Sequence, residues 1–147
     1  MSGLGDSGRS VGPAVFTPSE LAFLDATLLG RLATKRPDGT LQNSPVAFGV
    51  DHDSGVIDIR GRAMGDTRKF ANVEHDGEVA FVVDELVTTS PWVVRGLEIR
   101  GRAEALRNVP ASASYLSDEV IRLHPRRVIS WGVNSNGEQM VGRDVST

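Results

Sequence analysis

The sequence contains no cysteine and only two lysines, Lys35 and Lys69. Without cysteine there are no disulfides, no thiolate metal ligands and no thiol nucleophile. The three histidines, His52, His75 and His124, show no paired spacing, so no metal site is expected. No apolar run approaches the roughly 20 residues that a membrane-spanning helix needs. The net charge of −3 argues against a general nucleic-acid binder, so we expect no nucleic-acid or membrane partner.

The first residues are rich in glycine and serine and lack the apolar segment of a secretory signal. We therefore predict a cytoplasmic protein with a disordered segment at 1–12 and one domain at 13–147. Gly3, Gly5 and Gly8 form a G-x-G-x-x-G, but no strand precedes it. It therefore fails the context test for a dinucleotide-binding loop.

Hydrophobic periodicity predicts a mainly β chain with short helices. Thr17-Pro18-Ser19-Glu20 combines an N-cap, a proline at the first helical position and a capping-box glutamate. It predicts a helix of about ten residues that Gly30 ends. Further helices are expected from Asp66 or Thr67 and at 110–115. Strands with a period of two are expected at 31–36, 41–50, 56–60, 79–83, 97–104, 119–123 and 127–133.

Short turns join most of these strands, which favours an antiparallel barrel with peripheral helices. Pro45 indicates an edge strand or a bulge, and Pro125 indicates an interruption between the last two strands. The segment 86–91 is expected to be a loop. The strand at 79–83 is apolar on both faces and is expected to be central and buried.

The strand-turn-helix that begins at Arg60 is the strongest functional signal. Arg60, Arg62, Arg68 and Lys69 fall within ten residues, beside the predicted helix start. A helix N-terminus offers unpaired N–H groups and a positive dipole end, and neighbouring cations complete a binding site for a phosphate. The pattern also fits a solvated basic turn in which Lys69 pairs with Asp66. The local pattern leaves both interpretations open.

Trp131 on a late strand and Arg143 near the end are weaker candidates. A tryptophan is more often a core residue than part of a cofactor site, and an arginine in a polar tail is more often solvated. The sequence has no nucleophile elbow and no Walker-type loop. Composition and spacing alone thus indicate a β-barrel with an anion site.

Several short motifs follow one another between about Phe16 and the C-terminus. They are Leu29-Gly30-Arg31-Leu32-Ala33-Thr34, Asp38-Gly39, Ser44-Pro45-Val46-Ala47-Phe48, Thr67-Arg68-Lys69, 79–84, Pro91-Trp92, 95–104 and 124–132. In order and spacing they resemble the pyridoxamine 5′-phosphate oxidase-like split barrels, most closely the branch of F420-dependent enzymes. The resemblance implies a split β-barrel that binds a flavin or deazaflavin.

In that family a strand-turn-helix with Ser/Thr-Arg-Lys binds the phosphate of the cofactor. The resemblance assigns this role to Thr67, Arg68 and Lys69, with Arg60 beside them. The resemblance and the physical argument from the helix start therefore lead to the same segment.

The resemblance also implies contacts outside this segment. The strand around Gln42, Ser44 and Val46 is expected to border the cofactor ring through its backbone. The family uses a tryptophan in a late strand and an arginine about ten residues further on. Trp131 and Arg143 resemble these two, although the loop between them is slightly longer here.

Three departures distinguish this chain from the vitamin B6 oxidases of the family. Gly96 stands where the oxidases place a glutamine beside the flavin, and Ser130 replaces the phenylalanine of a late Phe-Trp pair. The terminal Arg-x-His that holds pyridoxal phosphate is Arg143-Asp144-Val145 here. These departures favour the deazaflavin branch.

The expected function is hydride transfer between reduced F420 and an organic acceptor, with no obligatory acid or base from the protein. One alternative is an FMN-dependent flavoenzyme, and another is a non-catalytic carrier of a flavin or haem. The acceptor has no readable code in the sequence. A homodimer with the cofactor at the interface is expected from the resemblance, and the apolar strand at 79–83 requires additional cover.

Overall fold

The structure is a computed structural model that describes residues 14–135 and 137–145. The segment at 1–12 that the sequence predicts to be disordered, with its glycine motif, lies outside the described residues. The helices are α1 (Pro18–Ala26) and α2 (Arg68–His75), with a 3₁₀ turn at Met64–Asp66. The strands are β1 (Leu29–Lys35), β2 (Leu41–Ala47), β3 (Gly49–Val50), β4 (Ile57–Ile59), β5 (Glu78–Thr89), β6 (Trp92–Leu106), β7 (Val120–Trp131) and β8 (Val141–Asp144).

All eight strands form one antiparallel sheet with the order β2-β1-β5-β6-β7-β4-β3, and β8 pairs with β7. The strands at the two ends of this order, β2 and β3, are separated along the chain by Phe48 alone. The sheet therefore has to curl until its ends approach each other. This geometry confirms the predicted split β-barrel.

The core fills the inside of the curled sheet. Side chains of β6 alternate as predicted, with Leu97 and Ile99 buried and Arg100 exposed. Phe81 of β5 packs edge-on against Phe48 with ring centroids 5.1 Å apart. The two helices add Phe23, Leu24, Phe70 and Val73 to the same core.

The capping box predicted at Thr17 and Glu20 is confirmed. The Glu20 N–H donates to the Thr17 hydroxyl, and the Thr17 N–H donates to the Glu20 carboxylate. The helix ends at Ala26, not at the predicted Gly30, because Thr27 already has an extended backbone. Gly30 lies in β1 beneath the ring of Phe81, where an added Cβ would meet the ring.

The segment 86–91, predicted as a loop, belongs to a long hairpin. Strand β5 continues to Thr89, a turn at Ser90 and Pro91 follows, and β6 begins at Trp92. The prediction was wrong because β-branched Val87, Thr88 and Thr89 continue the strand pattern that the charges at 84–85 interrupt. This end of the hairpin is a two-stranded ribbon with exposed apolar side chains.

The two late strands predicted on either side of Pro125 are one strand, β7. Its pairing with β6 shifts by one residue at this point: Gly101 lies opposite Pro125, whereas the neighbouring Arg100 lies opposite Arg127. Arg126 is the extra residue of a bulge, which is how a proline fits within a central strand. Pro45, by contrast, lies on β2 at the end of the strand order, as predicted.

Residues 110–115 do not form the predicted helix. They belong to an irregular segment that follows β6, in which the Val109 N–H donates to the Asp118 carbonyl. The guanidinium of Arg60 holds the carbonyls of Val109 and Pro110 at 2.9 and 3.4 Å. Because these carbonyls are occupied at the start of the segment, a helix has little advantage there.

One face of β5 is less buried than predicted. Val79, Phe81 and Val83 point into the core, whereas Ala80 and Val82 are only partly buried on the outer face. No helix among the described residues is long and apolar enough to cross a bilayer.

Candidate functional site

The start of α2 has the features of an anion-binding site. Thr67 is the N-cap: its hydroxyl accepts from the Phe70 N–H at 3.2 Å and donates to the Met64 carbonyl at 2.7 Å. The N–H groups of Arg68 and Lys69 belong to the first turn, where a helix offers no internal acceptor. Thr67 thus shapes the site, while the next two residues present donors.

The side chains of Arg68 and Lys69 are available for a ligand. Lys69 is partly buried and Arg68 is exposed, and neither forms an ion pair or hydrogen bond within residues 14–135 and 137–145. In particular, Lys69 does not pair with Asp66, the interpretation that would have made this segment a solvated turn. Two cations and two backbone donors therefore lie unpaired at one helix end.

A buried amide joins α2 to the first two strands. Asn72 is only 4% exposed, and its Nδ2 donates to Thr34 Oγ1 at 3.0 Å and to Gln42 Oε1 at 3.1 Å. Gln42 Nε2 in turn approaches Ser44 Oγ at 3.4 Å. Arg68 and Lys69 precede Asn72 by four and three residues, so each lies about one helical turn from it along α2. Asn72 thus ties α2 to the side of β2 that carries Gln42 and Ser44.

Sequence reasoning named Gln42 only for its backbone and missed Asn72. The available signal was the position of Asn72 between Phe70 and Val73, both of which are buried. A polar amide on the apolar side of a short helix needs internal partners, and those partners mark the strand that the helix packs against.

The structure shows what surrounds two other predicted site residues, Arg60 and Val46. The Arg60 guanidinium is engaged by the carbonyls at 109–110. The Val46 side chain is 6% exposed and packs in the core, so only its backbone is available to a ligand. The cofactor contact predicted for Arg60 stays a prediction, with its guanidinium already engaged by these carbonyls, and the backbone contact predicted for Val46 stays a prediction too.

Trp131 lies at the end of β7, directly opposite Gly96 of β6. A Cβ added at Gly96 would come within 2.7 Å of Trp131 Cζ2, so the glycine is what leaves room for the indole ring. Trp131 also lines a cavity of about 350 Å³ on the outer face of the sheet, together with Ala80, Ile129 and Met140. The absence of a side chain at Gly96 is thereby linked to the placement of Trp131.

Arg143 lies in a different environment from the start of α2. Its guanidinium donates to both carboxylate oxygens of Glu20 at 2.6 and 2.9 Å, and to the Val15 carbonyl at 2.7 Å. Asn134 Nδ2 also donates to Glu20, at 2.8 Å. Glu20 is fully buried, so this network joins β8 to α1. The cofactor contact of Arg143 stays a prediction, and its guanidinium is already occupied within the protomer.

Burial alone would raise the pKa of the Glu20 carboxyl. Hydrogen bonds from Arg143, the Thr17 N–H and Asn134, together with the charge of Arg143, outweigh that effect and hold the pKa below its ordinary value of 4.5. The charged form is therefore the one that the fold stabilises.

This gives a pH-dependent prediction. Because the pKa of Glu20 is lower in the folded than in the unfolded chain, its stabilising contribution is present above pH 4.5 and is lost as the pH falls through the folded-state value. Glu20→Gln keeps a capping-box residue but removes the charge. Urea unfolding should show wild-type protein more stable than the variant at pH 7, with the difference shrinking toward pH 3. A difference that is constant over this range would contradict the assignment.

No group of three or more histidine or acidic side chains within the described ranges is arranged to hold a metal ion. His52 and His124 each lie 2.7 Å from a carboxylate, Asp25 and Glu104 respectively. The chemistry of the candidate site is therefore that of cations and neutral hydrogen-bond donors, which suits an anionic ligand with polar ring atoms.

Comparison with known proteins places these observations in context. The family model described as pyridoxamine 5′-phosphate oxidase matches residues 16–139. A 5a,11a-dehydrotetracycline/5a,11a-dehydrooxytetracycline reductase of Streptomyces rimosus is 43% identical over 122 residues, which cover 82% of this chain and 86% of that protein.

Two solved structures share the fold. A conserved hypothetical protein from Mycobacterium tuberculosis superposes with a TM-score of 0.61 at 21% identity, covering 84% of this chain and 89% of that one. A structure described as an F420 reductase superposes with a TM-score of 0.59 at 24% identity, covering 77% and 98%. At these identities the likeness concerns the fold alone.

Proposed function

Because the chain belongs to the pyridoxamine 5′-phosphate oxidase family, we propose that it is an oxidoreductase that uses the deazaflavin F420 to reduce an organic acceptor. The observation that carries this proposal is the start of α2. There, the cations of Arg68 and Lys69 have no ion pair or hydrogen bond among the described residues, and Asn72, one turn further on, hydrogen-bonds Gln42 of β2.

The donor set fits a phosphate-bearing cofactor. Lys69 offers a compact charge with rotatable donors, and Arg68 offers a planar fork that suits phosphate oxygens. The free N–H groups of the first helical turn add two backbone donors and the positive end of the helix dipole. Thr67 holds this turn in place through its cap. The resemblance assigned the phosphate to these same residues.

When bound, reduced F420 supplies the hydride, and the protein supplies position and surroundings. Arg68 and Lys69 would hold the phosphate, Gln42 and Ser44 would lie beside the ring, and the backbone around Val46 would border it. The cofactor contact of Trp131 stays a prediction, because its ring lies on the outer face of the sheet whereas Gln42 faces α2 on the inner side. No side chain in this set is required to donate or accept a proton.

Two features favour F420 over FMN as the cofactor. The chain lacks the oxidase glutamine at Gly96 and the terminal Arg-x-His, which separates it from the FMN-dependent oxidases that it resembles. The relative from Streptomyces rimosus is a reductase, not an oxidase, by its description. By analogy, the acceptor is an unsaturated organic molecule, and FMN is the alternative cofactor.

The test is an acceptor-dependent oxidation assay with reduced F420 and reduced FMN compared as hydride donors. The acceptors are α,β-unsaturated carbonyl compounds, beginning with 5a,11a-dehydrotetracycline. The proposal predicts faster oxidation of reduced F420 than of reduced FMN, with loss of rate in Lys69→Ala at limiting cofactor. Faster oxidation of reduced FMN, or no acceptor-dependent oxidation of either donor, would contradict it.

The outer face of the sheet supports a homodimer. Ala33, Ala80 and Val82 form a small, partly buried apolar strip there, and Ile129 and the 67% exposed Met140 lie beyond the ion pair of Glu98 and Arg100. Such a strip on a sheet needs further cover than the described residues provide. A second copy of the chain would supply that cover, and the resemblance implies a cofactor at the interface of such a dimer.

Size-exclusion chromatography with light scattering at micromolar concentration should therefore give about twice the chain mass of 15.8 kDa. Val82→Glu, which places a charge in the strip, is expected to shift the protein toward the monomer. Ser19→Glu adds the same charge to the exposed side of α1 and should leave the dimer intact. A wild-type mass of 15.8 kDa would count against the dimer.

A further inference from the structure

The buried amide of Asn72 fixes which way round the Gln42 side chain lies. Asn72 Nδ2 donates to Gln42 Oε1, so the carbonyl end of the Gln42 amide points toward the helix. The other hydrogen of Asn72 Nδ2 is used by Thr34, which is 2% exposed. A buried donor without its acceptor is costly, so this orientation is the stable one.

The opposite end of the Gln42 amide is therefore its NH₂ group, which carries two donors. It directs one of them toward Ser44 Oγ, at 3.4 Å. Since Ser44 accepts this contact, its own O–H is left to donate elsewhere, and no acceptor for it is found among the described residues. β2 thus presents two neutral donors, Gln42 Nε2 and Ser44 Oγ, on the side that α2 covers.

These donors lie close to the phosphate site. Asn72 is about one helical turn, roughly 5 Å along the axis, from Arg68 and Lys69. The arrangement therefore combines cations at the helix start with neutral donors one turn further on. A ligand that matches both has a phosphate joined by a short chain to a ring whose edge carries carbonyl acceptors.

We propose that Gln42 determines the ring orientation of the cofactor by donating a hydrogen bond to a carbonyl of its pyrimidinedione edge, and that Asn72 is the positioning residue that keeps the Gln42 amide turned for this. The inference rests on the proposed function and extends it from the phosphate to the ring. It assigns to the Gln42 side chain a contact that the resemblance implied only for the backbone of its strand.

Gln42→Glu removes the NH₂ donor of Gln42 and keeps the hydrogen bond that Asn72 donates to this side chain. A glutamate has the same length, and its oxygen still accepts from Asn72, but no donor remains for the ring. Asn72→Asp tests the positioning residue. An aspartate at this site cannot donate to Gln42, so the Gln42 amide turns and presents its oxygen outward. Asn108→Asp, which adds the same charge in an exposed turn, is the control.

The measurement is equilibrium binding of two probes: F420, and the deazariboflavin chromophore that lacks the phosphate and tail. Gln42→Glu and Asn72→Asp should each lower the affinity for both probes by about tenfold, which is the effect of one lost hydrogen bond. Lys69→Ala should lower the affinity for F420 alone, because the chromophore has no phosphate. Asn108→Asp should bind both probes like wild type.

The outcomes separate the inference from the function on which it rests. Wild-type affinity of Gln42→Glu for the chromophore would overturn the inference alone. A loss in Asn72→Asp that is confined to F420 would overturn the positioning role and show that the buried amide only supports α2. A wild-type protein that binds neither probe would overturn the proposed function together with the inference.

Discussion

Replacing Lys69 with alanine is expected to weaken F420 binding by roughly ten- to a hundredfold. A charge-assisted hydrogen bond to phosphate contributes ~1.5–3 kcal/mol, and about 1.4 kcal/mol corresponds to a factor of ten in affinity. Stability should not change, because Lys69 forms no ion pair or hydrogen bond in the part of the chain that the structure describes. Fluorescence titration of the folded variant with F420 measures the loss.

Lys35→Ala is the matched control, since it removes the only other lysine. Lys35 lies at the end of β1, where its Nζ is 3.3 Å from Asp76 and its side chain is 43% exposed. An exposed pair of this kind contributes at most ~1 kcal/mol to stability, and its removal should not alter F420 affinity. Equal affinity of the two variants would show that the basic turn is only solvated surface.

Replacing Arg143 with alanine is expected to be the most destabilising of the substitutions considered. It leaves the buried Glu20 carboxylate without its cation and frees the Val15 carbonyl. Breaking a buried ion pair from one side costs about 3 kcal/mol. For a chain of this size that lowers Tm by roughly 6–12 °C. Calorimetry or thermal unfolding by circular dichroism measures the shift.

Arg127→Ala provides the comparison. Arg127 Nη1 lies 2.8 Å from the carboxylate of Asp144, which is 85% exposed, so this pair is solvated and worth ~1 kcal/mol or less. If Arg143→Ala were as stable as Arg127→Ala yet failed to bind F420, Arg143 would be a cofactor ligand as the resemblance implies, and the network with Glu20 would be secondary.

Features that depend on local sequence were predictable. The capping box at Thr17 and Glu20 and the helix start at Thr67 each rest on residues within one turn of each other. The alternation of Leu97 and Ile99 with charged neighbours likewise marked a strand with one buried face. Short turns between successive strands predicted the antiparallel barrel, and the order of the motifs added its split-barrel family.

Features that depend on distant partners were not predictable. Glu20 is buried because Arg143, 123 residues away, neutralises it, and a glutamate in a first helical turn otherwise signals solvent. The same holds for Asn72, whose partners Thr34 and Gln42 lie 38 and 30 residues earlier. Local pattern also failed at 86–91, where charged residues hid the continuation of a strand.

Equilibrium titration of the wild-type protein with F420 and with FMN, in parallel, tests the central claim most directly. The basic start of α2 predicts saturable binding of both phosphate-bearing ligands, and the departures from the oxidases predict that F420 is the tighter of the two. Tighter binding of FMN would make the protein a flavoenzyme. Binding of haem with no measurable affinity for F420 or FMN would contradict the assignment of this site altogether.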